Sequence, residues 1–115
     1  MSPAELQRTA QPYGNTPFLF YTGSNSAPRV NHVVASFTDV VGQVVVSGFG
    51  RGVARTLTPD SSLSLLWPAD ASEEFSLIAD GTGRIEQSND TELLVLTITS
   101  SVLHRPAPVD GESSC

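Results

Sequence analysis

Six short β-prone runs separated by turn residues constrain the fold more than any other feature of this sequence. The runs are rich in Val, Ile, Leu, Phe and Thr, and Gly, Pro, Asn, Asp and Ser bound them. They are PFLFYTG (17–23), VNHVVASF (30–37), QVVVSGF (43–49), SLSLLW (62–67), FSLIADGTGRIEQ (75–87) and TELLVLTITSSVLH (91–104). A doubly wound α/β sheet would need a helix between most of these strands, and such helices are missing. The pattern therefore predicts a mainly β protein, a small closed or split antiparallel barrel of six strands.

Two short segments favour helix. Ser2 and Glu5 match a capping box with proline at the first helical position, and Pro12 keeps that helix short. Residues 51–58, between the third and fourth strands, are the second candidate, which Pro59 limits to about two turns. We therefore expect one or two short helices beside the barrel.

The chain of 115 residues is near the commonest size of a single domain. Its pattern divides it into an N-terminal helical or irregular segment (1–16), a barrel (17–104) and a mobile tail (105–115). Gly81 and Gly83 in the fifth strand predict a bulge or a sharp bend. The last strand is apolar on both faces, which indicates one face in the barrel and one against another surface, such as a second subunit.

Charge and composition exclude several classes of partner. The net charge of −6 argues against a nucleic-acid surface and against binding to an anionic membrane. No apolar run approaches the length of a membrane span, and the N-terminus lacks the pattern of a secretory signal. The single cysteine, Cys115, allows no disulfide within the chain. A cytoplasmic location is therefore expected.

The sequence shows no metal or catalytic motif. His32 and His104 stand alone, without His-x-x-x-His or Cys-x-x-Cys, so no metal site is expected. No Gly-x-Ser-x-Gly elbow occurs, and Gly48, Gly50 and Gly52 do not fit Gly-x-Gly-x-x-Gly. No residue stands out as a catalytic acid or base.

Two arginines in the connection between the third and fourth strands form the candidate site. If Arg51 opens the helix, Arg55 lies one turn later on the same face. Cations at a helix start cost about 0.3–1 kcal/mol each, and a bound anion would reverse that sign. The three glycines of this connection would let backbone amides approach a phosphate. Alternatively, the arginines are solvated, or they pair with Glu73, Glu74 or Asp80.

The stretches SGFGRGVARTL, SLSLLW and FSLIADGTGRIE together resemble the FMN-binding split barrel of pyridoxamine 5′-phosphate oxidase-like proteins. In that family a strand ends in a small polar residue and glycines, and the following helix start holds the flavin phosphate. The resemblance covers roughly residues 17–104 and implies a homodimer with FMN or a deazaflavin bound at the subunit interface.

The register of the resemblance implies that five residues hold the cofactor phosphate: Ser47, Gly50, Arg51, Arg55 and Thr56. The stretch PRVNHVVASF (28–37) is similar to the family strand beside the isoalloxazine ring, which would bring His32 and Val34 near the cofactor. Trp67 either stacks near the ring or packs in the barrel, and packing is favoured.

The chain departs from the family pattern at two positions. Val53 occupies the place of a phosphate-binding lysine, and Thr56 replaces an asparagine, while Arg51 can supply the missing charge as a bidentate donor. The resemblance implies a small flavin- or deazaflavin-binding oxidoreductase-like protein that transfers hydride with an unknown small molecule. The alternative, which Val53 and Thr56 favour, is a degenerate split barrel without catalytic activity, acting as a cofactor-binding or dimeric interaction module.

Overall fold

The computed structural model describes residues 1–70 and 73–105, and this part of the chain is mainly β, as predicted. The predicted tail beyond residue 105 lies outside the described residues. Two short α-helices precede and interrupt the strands: α1 (Pro3–Ala10) and α2 (Arg51–Thr56). The strands are β1 (Phe18–Thr22), β2 (Pro28–His32), β3 (Val34–Phe37), β4 (Gln43–Ser47), β5 (Leu63–Trp67), β6 (Ser76–Ser88) and β7 (Thr91–His104).

The strands form one antiparallel sheet in the order β2-β1-β5-β6-β7-β4-β3. The strands β2 and β3 stand at opposite ends of this order, although Val33 alone separates them in the sequence. The sheet therefore curls into a half-barrel, and Val33 connects the two strands at its edges. The backbone N–H of Val33 donates to the carbonyl of Pro17 across 3.0 Å, which ties this junction to the segment before β1.

The predicted number of six strands was wrong, because the second predicted strand is two strands. Its first half lies in β2 and pairs with β1, whereas its second half is β3 and pairs with β4. The chain changes partner at Val33, where the curled sheet meets itself. Such a change needs no turn residue, so the sequence pattern contains no sign of it.

The hydrophobic core lies on the inner face of the curled sheet. Trp67 packs there, as expected, and its indole N–H donates to the carbonyl of Gly14 across 3.2 Å. Both helices contribute a buried side chain to this core, and the strands contribute alternate residues. The core includes Leu6, Ala10, Leu19, Val44, Val46, Val53, Leu63, Leu65, Leu77, Leu94 and Leu96.

Two local predictions are confirmed. At α1, the hydroxyl of Ser2 accepts the N–H of Glu5 at 3.2 Å, and the carboxylate of Glu5 accepts the N–H of Ser2 at 2.9 Å. In the β6–β7 ladder the register shifts between Asp80 and Gly81. A Cβ atom at Gly81 would collide with the carbonyl oxygen of Thr97, so this irregularity requires glycine.

Candidate functional site

The start of α2 is attached to the edge strand β2 by Asn31. The side-chain oxygen of Asn31 accepts the N–H of Gly50, the residue that precedes the helix, at 3.1 Å. The amide nitrogen of the same side chain donates to the carbonyl of Val30 at 3.0 Å. One carboxamide therefore links the helix start to the sheet edge.

The first turn of α2 also lies directly on Tyr21 of β1. A Cβ atom at Gly52 would be 2.6 Å from the hydroxyl oxygen of Tyr21, which is closer than any real side chain tolerates. The next residue, Val53, is buried in the core. These contacts hold one side of α2 against the barrel and leave the opposite side in solvent.

Arg51 and Arg55 project from the solvent side of α2. Both are exposed, and the single ion pair within residues 1–70 and 73–105 joins Arg84 to Glu86. The predicted alternative that they pair with acidic residues of neighbouring strands is therefore wrong for the described part of the chain. Two guanidinium groups one helical turn apart remain available to an anion.

The other residues predicted at the helix start present fewer donors than the sequence suggests. The hydroxyl of Thr56 donates to the carbonyl of Gly52, four residues earlier, at 2.8 Å. The N–H of Gly50 is engaged by Asn31. The side chain of Val53 points into the core, away from the arginines. A phosphate at this place would therefore depend on the two arginine side chains.

The remaining three predicted site residues lie on the outer face of the sheet. His32 and Val34 alternate with the buried residues Val33 and Ala35, and Ser47 is the ladder partner of Val34. Of these three residues, Ser47 is separated from α2 only by the connection 48–50. The four Cα–Cα steps from Ser47 to Arg51 span at most about 14 Å, so Ser47 lies near the start of α2.

The ring of His32 is fixed by two contacts. Its Nε2 lies 3.0 Å from the carbonyl oxygen of Thr16, and the ring stacks on Phe18 with centroids 4.5 Å apart. Because a carbonyl oxygen only accepts, Nε2 carries the hydrogen in this bond. In the neutral ring Nδ1 is then an acceptor.

A groove of about 610 Å³ lies between α2 and the β6–β7 ladder. The groove includes Ala54 and Leu57 on the helix side, and Thr82, Arg84 and Val95 on the sheet side. Arg84 is paired there with Glu86 at 2.6 Å, so its charge is compensated. The groove has the size of a small-molecule site, and its wall begins one residue from Arg55.

Sequence reasoning missed Asn31, Tyr21 and this groove. Asparagine is depleted in strands, so Asn31 between β-branched and aromatic runs was an available signal of a special role. The contact of Tyr21 with Gly52 has no local signal, because 31 positions separate the two residues. The groove depends on how the helix sits over the sheet, which the pattern of strands does not specify.

Two further features bear on function. In the described part of the chain, no three His, Cys, Asp or Glu residues gather closely enough to hold a metal ion. Among the same residues, no helix has both the length and the apolar character needed to cross a membrane.

Comparisons with protein-family models, with curated proteins and with solved structures give no match.

Proposed function

We propose that this protein binds FMN or a related deazaflavin, with the cofactor phosphate held by Arg51 and Arg55, and transfers hydride to or from a small molecule. The observation that supports this most is the pair of exposed guanidinium groups without an ion pair in the described residues. Like charges at this spacing repel each other by a few tenths of a kcal/mol. A phosphate dianion would convert that repulsion into two charge-assisted interactions.

The arginine pair fits a phosphate in its chemistry. Each guanidinium group offers a planar fork of N–H donors that matches two phosphate oxygens. The net charge of the chain is −6, so an anionic ligand would be repelled from most of the surface. At α2, the positive charges of Arg51 and Arg55 attract such a ligand instead.

The outer residues beside the helix suit the remainder of a flavin. Val34 presents an exposed apolar side chain that can cover one face of a flat ring and exclude water from it. Ser47, its partner in the ladder, is the last residue of β4 and offers a hydroxyl group on the same face as Val34. His32 can accept a hydrogen bond at Nδ1. The bound cofactor supplies the hydride-transfer chemistry, whereas these residues bind and orient it.

The first test is whether the purified protein retains a flavin. FMN is added, the unbound excess is removed, and the visible absorption spectrum is recorded. We expect a flavin band equivalent to about one cofactor per chain, as a specific site requires. If FMN is lost, the same experiment with a deazaflavin follows, and a protein that retains neither cofactor contradicts the proposal.

A second candidate function is a cofactor-binding or interaction module without catalytic activity. It is favoured by Val53 and Thr56, because the structure leaves neither side chain available to a ligand on the arginine face. The two candidates differ in the reactivity of bound flavin toward a nicotinamide hydride donor. If the nicotinamide donor reduces bound FMN no faster than it reduces free FMN, the result supports the inactive module. In both cases a cytoplasmic location stays part of the proposal, because the single cysteine offers no internal disulfide.

A further inference from the structure

A second cavity lies at the end of the sheet away from α2. Its volume is about 360 Å³, within the range of about 300–1,000 Å³ that is usual for small-molecule sites. Phe37, the last residue of β3, and Trp67, the last residue of β5, line it. At the other end of β3, Val34 is opposite Ser47, which leads into α2. The cavity and the arginine pair are therefore two separate places on this fold.

One wall of this cavity is the edge of β3 that faces away from β4. Three consecutive residues of the strand, Ala35, Ser36 and Phe37, line the cavity. Consecutive side chains of a strand point to opposite faces of the sheet, so a cavity that touches all three lies beside the edge of the strand. The backbone groups of this edge are therefore part of the cavity wall.

This edge presents one backbone acceptor and one backbone donor. The N–H of Ala35 points away from β4 and donates to the carbonyl of Asn15 at 2.8 Å, and the N–H of Thr38 donates toward β4, to the carbonyl of Gln43, at 3.2 Å. Because these directions alternate along a strand, the carbonyl of Ala35 and the N–H of Phe37 also point away from β4. Within residues 1–70 and 73–105, neither of these two groups has a hydrogen-bond partner.

The opposite wall is polar but uncharged. Gln7 and Gln11 are four residues apart at the C-terminal end of α1, so their side chains are neighbours, and Asn15 follows them. None of these three carboxamide side chains makes a hydrogen bond in the described part of the chain. No described residue that lines the cavity carries a charge, and the chain has a net charge of −6. Because nothing here offsets the charge of an anion, the cavity suits a neutral ligand.

The apolar part of the lining favours a flat ring. The rings of Phe37 and Trp67 are nearly parallel, with 14° between their planes and 6.3 Å between their centroids. A flat aromatic ligand can pack against such a surface and still reach the edge of β3. A saccharide, another common neutral ligand, has hydroxyl groups on a puckered ring and no flat edge.

We infer that this cavity binds the adenine base of a neutral nucleoside. Adenine carries an amino donor, N6, directly beside a ring acceptor, N1. The N6 amino group donates to the carbonyl of Ala35, and N1 accepts the N–H of Phe37. The carboxamide of Gln7, which is half-buried, is then available to the other edge of the base. The inference goes beyond flavin binding and does not depend on it, because neither arginine takes part.

The test is a titration of the flavin-free protein with adenosine, followed by the fluorescence of Trp67, which is the single tryptophan of the chain and lines the cavity. We expect saturable binding with a dissociation constant in the micromolar range. Inosine is the matched control ligand, because it keeps the shape of adenosine but has a donor at N1 and an acceptor at position 6. Two opposed backbone groups should weaken its binding at least about a hundredfold. Equal affinities for adenosine and inosine, or no binding of adenosine at millimolar concentration, overturn the inference.

A variant of the opposite wall tests the place of binding. Gln7→Met removes the carboxamide and keeps the length and the helix propensity of the side chain, so the protein should stay folded, which circular dichroism checks. It should weaken adenosine binding about tenfold. Gln87→Met is the matched control, because Gln87 is exposed near the end of β6, outside the cavity. It should bind adenosine like the parent, and an equal loss in both variants overturns the inference.

Two further measurements separate this cavity from the arginine pair. The variant in which Arg51 and Arg55 are both replaced by alanine should bind adenosine as tightly as the parent, whether or not the protein binds flavin. Loss of adenosine binding in this variant would assign the nucleoside to the arginines and overturn the inference. Adenosine monophosphate should bind no more tightly than adenosine, and a clear preference for the phosphorylated form would contradict a neutral site.

Discussion

The side-chain oxygen of Asn31 accepts the backbone N–H of Gly50 across 3.1 Å, so an edge strand holds the start of the helix that carries both candidate arginines. Because the same carboxamide donates to the carbonyl of Val30, its removal would break two hydrogen bonds. We expect Asn31→Ala to lower the free energy of unfolding by about 1–2 kcal/mol. It should also increase hydrogen exchange in α2 and weaken FMN binding several-fold.

Asn15→Ala is the matched control for this variant, because Asn15 is exposed and its side chain makes no hydrogen bond in the described part of the chain. Hydrogen exchange followed by mass spectrometry measures the protection of α2 directly. Unchanged protection of α2 in Asn31→Ala would show that Asn31 does not position this helix.

The contact of Gly52 with Tyr21 predicts a pair of compensating substitutions. In Gly52→Ala the new Cβ atom would meet the Tyr21 hydroxyl oxygen at 2.6 Å, whereas the nearest ring carbons are 3.4 and 3.5 Å away. Overpacking of this kind costs about 1–3 kcal/mol, a loss that the better helix propensity of alanine, about 1 kcal/mol, and rotation of the half-exposed Tyr21 side chain reduce. Tyr21→Phe removes the colliding atom, so the double variant should recover most of the loss.

A double-mutant cycle on chemical unfolding measures this coupling. The expected interaction free energy is favourable, because Gly52→Ala costs less in the Tyr21→Phe background. Equal losses in both backgrounds would mean that α2 does not rest on the Tyr21 hydroxyl.

The capping box at α1 predicts that the stability of the folded protein depends on pH in the acid range. Two hydrogen bonds from Ser2 lower the pKa of Glu5 below its ordinary value of 4.5. The larger effect comes from the backbone N–H of Ser2, and the smaller effect comes from its hydroxyl group. A carboxyl group with a lowered folded-state pKa stabilises the fold above its unfolded pKa, and this contribution disappears as the pH falls through the folded value.

The comparison is between the parent and Glu5→Gln, because glutamine keeps the shape of the capping box and removes the charge. The parent should be the more stable protein at neutral pH. The difference in unfolding temperature between the parent and Glu5→Gln should decline below pH 4.5. A difference that stays constant into strong acid would contradict a charged capping box.

Local sequence signals predicted the features of this fold that local interactions determine. The capping box, the length of α2, the irregularity at Gly81 and the shared face of Arg51 and Arg55 all depend on residues within a few positions of each other. The division of the second strand at Val33 and the contact of Asn31 with Gly50 depend on partners far apart in the chain. Single-sequence patterns do not specify such partners, so both were missed.

The cofactor proposal predicts that Arg51 and Arg55 together dominate the affinity for flavin phosphate. A hydrogen bond to a charged group contributes about 1.5–3 kcal/mol, so the loss of both arginines should cost at least about 3 kcal/mol. That loss corresponds to a weakening of about a hundredfold in the FMN dissociation constant, measured by flavin fluorescence titration. The double alanine variant should unfold at the same temperature as the parent, since both side chains are exposed and unpaired in the described residues.

Arg8→Ala provides the matched control, because Arg8 is an exposed arginine in the last turn of the other helix. It should bind FMN as tightly as the parent. Riboflavin, which lacks the phosphate, supplies a second control: its affinity should hardly change between the parent and the double variant. If the double variant binds FMN as tightly as the parent, the phosphate does not lie on these arginines. An equal loss for FMN and riboflavin would instead mean that the arginines support the shape of the site and do not bind the phosphate.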